Sequence, residues 1–195
     1  MTETARRSGN WNLPNALTAL RLAMVPFFGW ALLVVDGRSV LWRCVAFLIF
    51  VAAMVTDRID GEIARNRDLV TNFGKIADPI ADKALTGMAF VGLSLVDGIW
   101  WWVTAVVLAR EWGITGLRLY LARRGHVVAA SPGGKAKTLV QTVALGLLIL
   151  PLRLVHGTLE QAGQAVWWVA IVLLGVAVAL TVATGVDYVV KSLRA

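Results

Sequence analysis

The sequence predicts an all-α polytopic membrane protein with six transmembrane helices, and three observations carry that expectation. Hydrophobic residues make up 58% of the 195 and charged residues only 16%, with mean hydropathy +0.71. A soluble domain holds about 25% charged residues. Long apolar stretches alternate with short charged segments along the chain, with no internal repeat, low-complexity tract or extramembrane domain. Seven of the nine tryptophans gather near the ends of those stretches, at Trp11, Trp42, Trp100–Trp102, Trp167 and Trp168, where membrane interfaces favour them. Residues 1–195 read as one domain with a short N-terminal segment of about 13 residues outside the membrane. The lone Cys44 excludes an internal disulfide framework.

The spans follow in order. The first is expected over Ala16–Val35, after Pro14, which suits an opening helical turn. The second covers Val40–Arg65, the third Phe73–Val96 and the fourth Ile99–Leu121. The fifth covers Thr138–Leu152 and the sixth Ala162–Val189. Only the sixth has the roughly 18 or more uncharged residues that mark a span by hydropathy alone. Spans two to five have uncharged cores of about 12 to 15 residues. They reach full length only by including Asp57, Asp60, Asp78, Asp82, Lys83, Arg110 and Arg118. Those side chains must face a wet cavity or one another, not lipid.

Basic residues set the orientation. With six spans, both termini and the loops near 66–72 and 122–137 share one side, and 16 of the 19 Lys/Arg fall on or near it. Only Arg38, Arg43 and Arg153 go to the other. The positive-inside rule makes the rich side cytoplasmic. The net charge of +7 then lies beside anionic headgroups, which accounts for it without nucleic acid. Arg6–Arg7 lacks the layout of a cleavable signal.

Within Asp57–Asp82 stand four carboxylates, Asp57, Asp60, Asp78 and Asp82. The first two are three apart and the last two four apart, spacings that put each pair on one helix face. Intramembrane acids are costly and mark functional sites. Four ionised carboxylates about 5 Å apart would repel by about 3 kcal/mol per pair at an effective dielectric near 20. Either most are protonated, or two divalent cations cancel them. An oxygen-only set favours Mg²⁺ or Mn²⁺ over zinc. Paired metals are the usual device for in-line displacement at phosphorus. Ion pairs with Arg58, Arg65, Arg67 or Lys75 could explain one or two acids, but not four at helical spacing. Gly61 and Ala64, one turn beyond the first acids, leave a groove, and Arg65 closes it with a fork suited to a diphosphate. Gly74, four before Asp78, again leaves room for close approach.

Asp57-x-x-Asp60-Gly61-x-x-Ala64-Arg65, then eight residues, Gly74, three residues, Asp78, three residues, Asp82 resembles the full signature of the CDP-alcohol phosphotransferases, with no position departing. The resemblance implies six transmembrane helices, a homodimer and a site open to the cytoplasm of a bacterial cell membrane. It implies that Asp57, Asp60, Asp78 and Asp82 hold two divalent cations, with Asp82 also the general base. Gly61, Ala64, Arg65 and Gly74, with Asp57, Asp60 and Asp78, would receive the CDP portion of CDP-diacylglycerol.

The acceptor alcohol lies outside that signature. Residues 12–21, 77–83, 109–112, 116–118 and 134–138 resemble the branch of the family that forms phosphatidylglycerophosphate, which implies glycerol 3-phosphate as acceptor. That dianion needs cations near the metals, and Arg110, Arg118, Lys135 and Lys137 are candidates. Arg110 either binds the phosphate or pairs with Glu111 or an Asp. Arg21 pairs with an Asp or binds lipid phosphate, while Arg123 and Arg124 suit headgroups. Rival acceptors are phosphatidylglycerol, giving cardiolipin, and inositol phosphate. A divalent-cation transporter is the rival of another class, though it gives no task to Gly61, Ala64, Arg65 and Gly74. Ser131–Lys135 lacks the early glycine and the Ser/Thr after Lys of a phosphate-binding loop. His126 and His156 have no partner at ligand spacing.

Overall fold

A computed structural model describes residues 13–66, 72–96, 99–124, 132–155, 157 and 159–193. Its regular structure among these residues is helical throughout. The helices are α1 Leu13–Leu33, α2 Val40–Asn66, α3 Asn72–Val96, α4 Trp101–Arg123, α5 Pro132–Ile149 and α6 Glu160–Leu193. Short 3₁₀ turns follow α1 at Val34–Gly37 and α5 at Pro151–Leu154. Among the described residues, five helices are long and apolar enough to cross a membrane; α4, with Arg110, Glu111 and Arg118 along it, falls short of that criterion. The expected fifth span began at Thr138, but α5 starts six residues earlier at Pro132, where a proline suits the first turn. It ends at Ile149 rather than Leu152 because Pro151 cannot continue the helical ladder.

Helix α1 packs against both α2 and α3, α5 packs along α6, and α4 lies against α3 and α6. The core between them is apolar and dry. Phe28, Phe50, Phe90, Leu32, Leu85, Leu93, Leu145 and Leu148 are its largest fully buried apolar members, and the rings of Phe28 and Phe50 lie 5.8 Å apart. Buried hydroxyls satisfy each other, as where Ser94 of α3 meets Thr104 of α4 at 2.7 Å. Trp100, Trp101, Trp102 and Trp168 are exposed near helix starts, consistent with interface anchoring.

Each helix reverses the direction of its predecessor, so two ends of the bundle can be told apart. One brings together the starts of α1, α3 and α5 with the last turns of α2, α4 and α6. The other gathers both 3₁₀ turns and the opening of α2. There Arg43, 3% exposed, donates through Nε to the Ile149 carbonyl at 2.9 Å and through Nη2 to that of Leu148 at 2.5 Å. It thereby caps the orphan carbonyls ending α5. The turn after α1 is left-handed at three successive residues, Val35 (φ 55°), Asp36 (φ 51°) and Gly37 (φ 67°). A left-handed L-residue costs about 1–2 kcal/mol, and β-branched Val35 is an outlier there. A Cβ on Gly37 would stand 2.6 Å from Val96 Cβ, so glycine is required on two counts.

Helix α6 docks with equal tightness on the second turn. A Cβ at Gly163 would lie 2.2 Å from the backbone oxygen of Leu152. Gly163→Ala is therefore expected to destabilise the bundle by about 1–3 kcal/mol, read as an earlier thermal midpoint in detergent. Gly175→Ala, with nothing within 4 Å of the added carbon, is the control and should not lower it.

Candidate active site

Helix α1 carries a stripe of three polar residues at helical spacing, Asn15, Thr18 and Arg21, all buried. A buried guanidinium is tolerated only with a partner. Arg21, 1% exposed, places Nη1 2.5 Å from Asp57 Oδ1 of α2. One turn earlier, Thr18 donates its hydroxyl to Asp78 Oδ1 of α3 at 2.5 Å. A single helix face thus holds one acid from each of its two neighbours. Asp82 projects one turn beyond Asp78, and Thr86 Oγ1 donates to its backbone oxygen at 2.9 Å. Asp57 lies within electrostatic range of both Asp78 and Asp82.

The side chains of Asp60, Gly61, Ala64 and Arg65 at the end of α2, of Gly74 at the start of α3, and of Lys135 at the start of α5 lie outside the described residues. Oxygen is the only donor atom that Asp57, Asp78, Asp82 and Thr18 offer, and such a set fits a hard divalent cation. Among the described residues no three metal-ligating side chains form a ready group around one ion.

A cavity of about 1150 Å³ opens at this end between α2, α4, α5 and α6. Asp57 and Arg58 stand on its α2 wall, with Lys83 of α3; Arg110, Glu111 and Arg118 come from α4, and Lys137 from α5. Asp78 and Asp82 are not among the residues lining it, though Asp82 is within electrostatic range of Glu111. Deeper in, the wall turns apolar, with Phe47, Phe50 and Met54 of α2 facing Val143 and Leu147 of α5. One cavity therefore joins carboxylates, cations and a hydrocarbon surface.

Two of the basic residues on it, Arg110 and Lys137, are ordered by Glu111. Arg110 Nη1 lies 3.1 Å from Glu111 Oε1, and Lys137 Nζ bonds the same oxygen from α5. Arg110 also reaches α6, donating from Nε to the Thr181 carbonyl at 3.1 Å and from Nη2 to Thr184 Oγ1 at 2.7 Å. Of the alternatives open for Arg110, the pair with Glu111 is formed, leaving two of its five donor hydrogens for a ligand. Gly185 makes this possible, since a Cβ there would sit 3.2 Å from Arg110 Cγ. Arg118 is exposed at the cavity with its guanidinium 5.6 Å from the centre of the Tyr188 ring. Arg21 resolves its own alternatives by pairing with Asp57.

Sequence reasoning named Glu111 as one possible partner of Arg110 but did not single out Thr18, Gly185 or Tyr188. The signal for Thr18 was present, since polar residues three apart on an apolar helix mark a buried stripe.

A family model described as CDP-alcohol phosphatidyltransferase matches residues 11–185. The chain is 50% identical over 192 residues to a protein of Mycobacterium tuberculosis named probable phosphatidylglycerophosphate synthase, covering 98% of this chain and 87% of that one. It is 39% identical over 197 residues to the CDP-diacylglycerol–glycerol-3-phosphate 3-phosphatidyltransferase of Bacillus subtilis, covering 95% and 97% respectively. A protein of the same name from Rickettsia bellii is 39% identical over 183 residues, covering 91% and 93%.

Proposed function

The chain belongs to the CDP-alcohol phosphatidyltransferase family, and from that premise we propose that it transfers a phosphatidyl group from CDP-diacylglycerol to glycerol 3-phosphate, giving phosphatidylglycerophosphate and CMP. The observation that carries this reading is the single cavity shared by Asp57, Arg118, Lys137 and an apolar wall. A lipid diphosphate needs the acids' end, its chains need the hydrocarbon surface, and a small phosphorylated alcohol needs the cations. Family membership also removes the ground for a cation transporter.

The residues divide the chemistry. Asp57, Asp60, Asp78 and Asp82 would hold two Mg²⁺ or Mn²⁺ ions, which supply charge neutralisation for the diphosphate and for the departing CMP. Arg65 grips the diphosphate with a planar fork, while Gly61, Ala64 and Gly74 leave space for the cytidine side. Arg118, Lys135 and Lys137, with the remaining donors of Arg110, bind the acceptor phosphate. Asp82 takes the proton from the acceptor hydroxyl, whose oxygen attacks the lipid-side phosphorus. The bond from that phosphorus to the CMP oxygen breaks, and CMP leaves with the electron pair. Arg21 and Thr18 keep Asp57 and Asp78 in register. The same reading makes the enzyme a homodimer in a bacterial cell membrane, its acid end facing the cytoplasm in accord with the basic bias of that side.

Purified protein in detergent, supplied with CDP-diacylglycerol and a panel of acceptors, tests the proposal by CMP release. Glycerol 3-phosphate with Mg²⁺ or Mn²⁺ is expected to support release, chelation to abolish it, and either ion to restore it. Release with inositol phosphate or phosphatidylglycerol but none with glycerol 3-phosphate would reject the acceptor. Full activity after exhaustive chelation would reject the metals.

A further inference from the structure

We propose that the end of the bundle opposite the acids holds a second site, a pocket for the phosphodiester headgroup of an anionic phospholipid. A separate cavity of about 310 Å³ opens there, at the lower end of the range for small-ligand sites. Arg43, on its wall, and Asp57 are both on α2, about 21 Å apart at 1.5 Å per residue. The wall carries Arg38, Arg43 and Arg153, the three basic residues that topology assigns to the far side. Isolated cations at a membrane boundary need no ligand. Here all three converge on one pocket from separate elements: the turn after α1, the first turn of α2, and the turn after α5.

Their roles differ. Arg43 is buried and already donates to the Leu148 and Ile149 carbonyls, so it contributes fixed charge beneath the pocket. Arg38 and Arg153 are exposed, and among the described residues neither side chain has a hydrogen bond or ion pair. The Arg153 guanidinium sits 4.4 Å from the centre of the Trp167 ring. That contact holds the side chain in place and leaves its N–H fork for a phosphate. The Trp167 side chain itself contributes to the same wall. Among the described residues on that wall Asp36 is the one carboxylate, beside three arginines.

The rest of the wall selects an ester over a free anion. Val96, Leu147, Leu152 and Leu154 face the same space, which suits a phosphate flanked by hydrocarbon and not a fully hydrated ion. Asp36 and Gly37 of the left-handed turn line the same space, and backbone strain of that kind gathers at ligand sites. Basic pockets between membrane helices recognise anionic headgroups on these terms.

Native mass spectrometry of the full chain tests the assignment, with the exposed pair replaced in an Arg38→Gln/Arg153→Gln variant. Both proteins are equilibrated with phosphatidylglycerol, with phosphatidylcholine of the same chains, or with inorganic phosphate. Wild type is expected to retain one more phosphatidylglycerol than the variant, whose affinity falls about thirtyfold for two basic residues lost near the headgroup. CMP release by the variant should match wild type, which separates this site from the catalytic one. Equal phosphatidylglycerol retention by both proteins, or retention of phosphatidylcholine at the same level, overturns the proposal. Binding of inorganic phosphate with no lipid carried over overturns it too, in favour of a free-anion site.

Discussion

Asp82→Asn is expected to lower CMP release by about 10²- to 10⁴-fold, the range a positioned general base supplies. The substitution keeps size and shape but removes the carboxylate that, on the proposed mechanism, takes the acceptor proton. Binding of CDP-diacylglycerol should be largely spared, because in that mechanism the diphosphate would be held by Asp57, Asp60, Asp78 and Arg65. Arg65→Ala should show the opposite division, with weaker binding and a smaller effect on turnover at saturation. Turnover under saturating substrates, measured beside equilibrium binding of the CDP-lipid, separates the two. Near-normal turnover in Asp82→Asn would move the base elsewhere, and Glu111 is the next carboxylate within electrostatic range.

Arg21→Ala is expected to strike stability and catalysis together. Removing one member of a fully buried ion pair costs about 3–5 kcal/mol. Asp57 keeps water on a side chain that is 40% exposed, which reduces the cost to about 2 kcal/mol. The catalytic effect is larger in proportion, since a misplacement of about 1 Å in a reacting constellation costs about 10²-fold. Thermal midpoint and CMP release should both fall, with Arg21→Lys between wild type and the alanine variant. Added Mn²⁺ should recover more stability in Arg21→Ala than in wild type, because a cation returns to an acid that lost one. Unchanged midpoint and turnover would show that Asp57 does not depend on α1.

Most of the helix layout was legible because charges punctuate the apolar stretches at nearly every reversal. Spacings of three and four put Asp57 with Asp60 and Asp78 with Asp82 on single helix faces, whereas the approach of Asp57 and Asp78 to one face of α1 needed the fold. Thr18 was harder to see: its hydroxyl carries no charge, and its partner Asp78 is 60 residues away. Arg43 was counted by side of the membrane, while its geometric task is to cap α5. No local pattern could have chosen among the alternatives for Arg110, because the carbonyl of Thr181 and hydroxyl of Thr184 arrive from the last helix. The start of α5 was missed because Pro132-Gly133-Gly134 carries turn residues, although a proline suits the first turn of a helix.

The shared carboxylate of Glu111 has a bearing on how the chain is made. Charged residues near the centre of a lone membrane helix cost about 2.5–3.5 kcal/mol each on insertion, and α4 carries Arg110 and Glu111 side by side. Their neutralising partners, Lys137 and the Thr181–Thr184 turn, are translated later. A chain cut before α5 is therefore expected to insert its fourth helix less completely than the full chain does, measured as the inserted fraction of each.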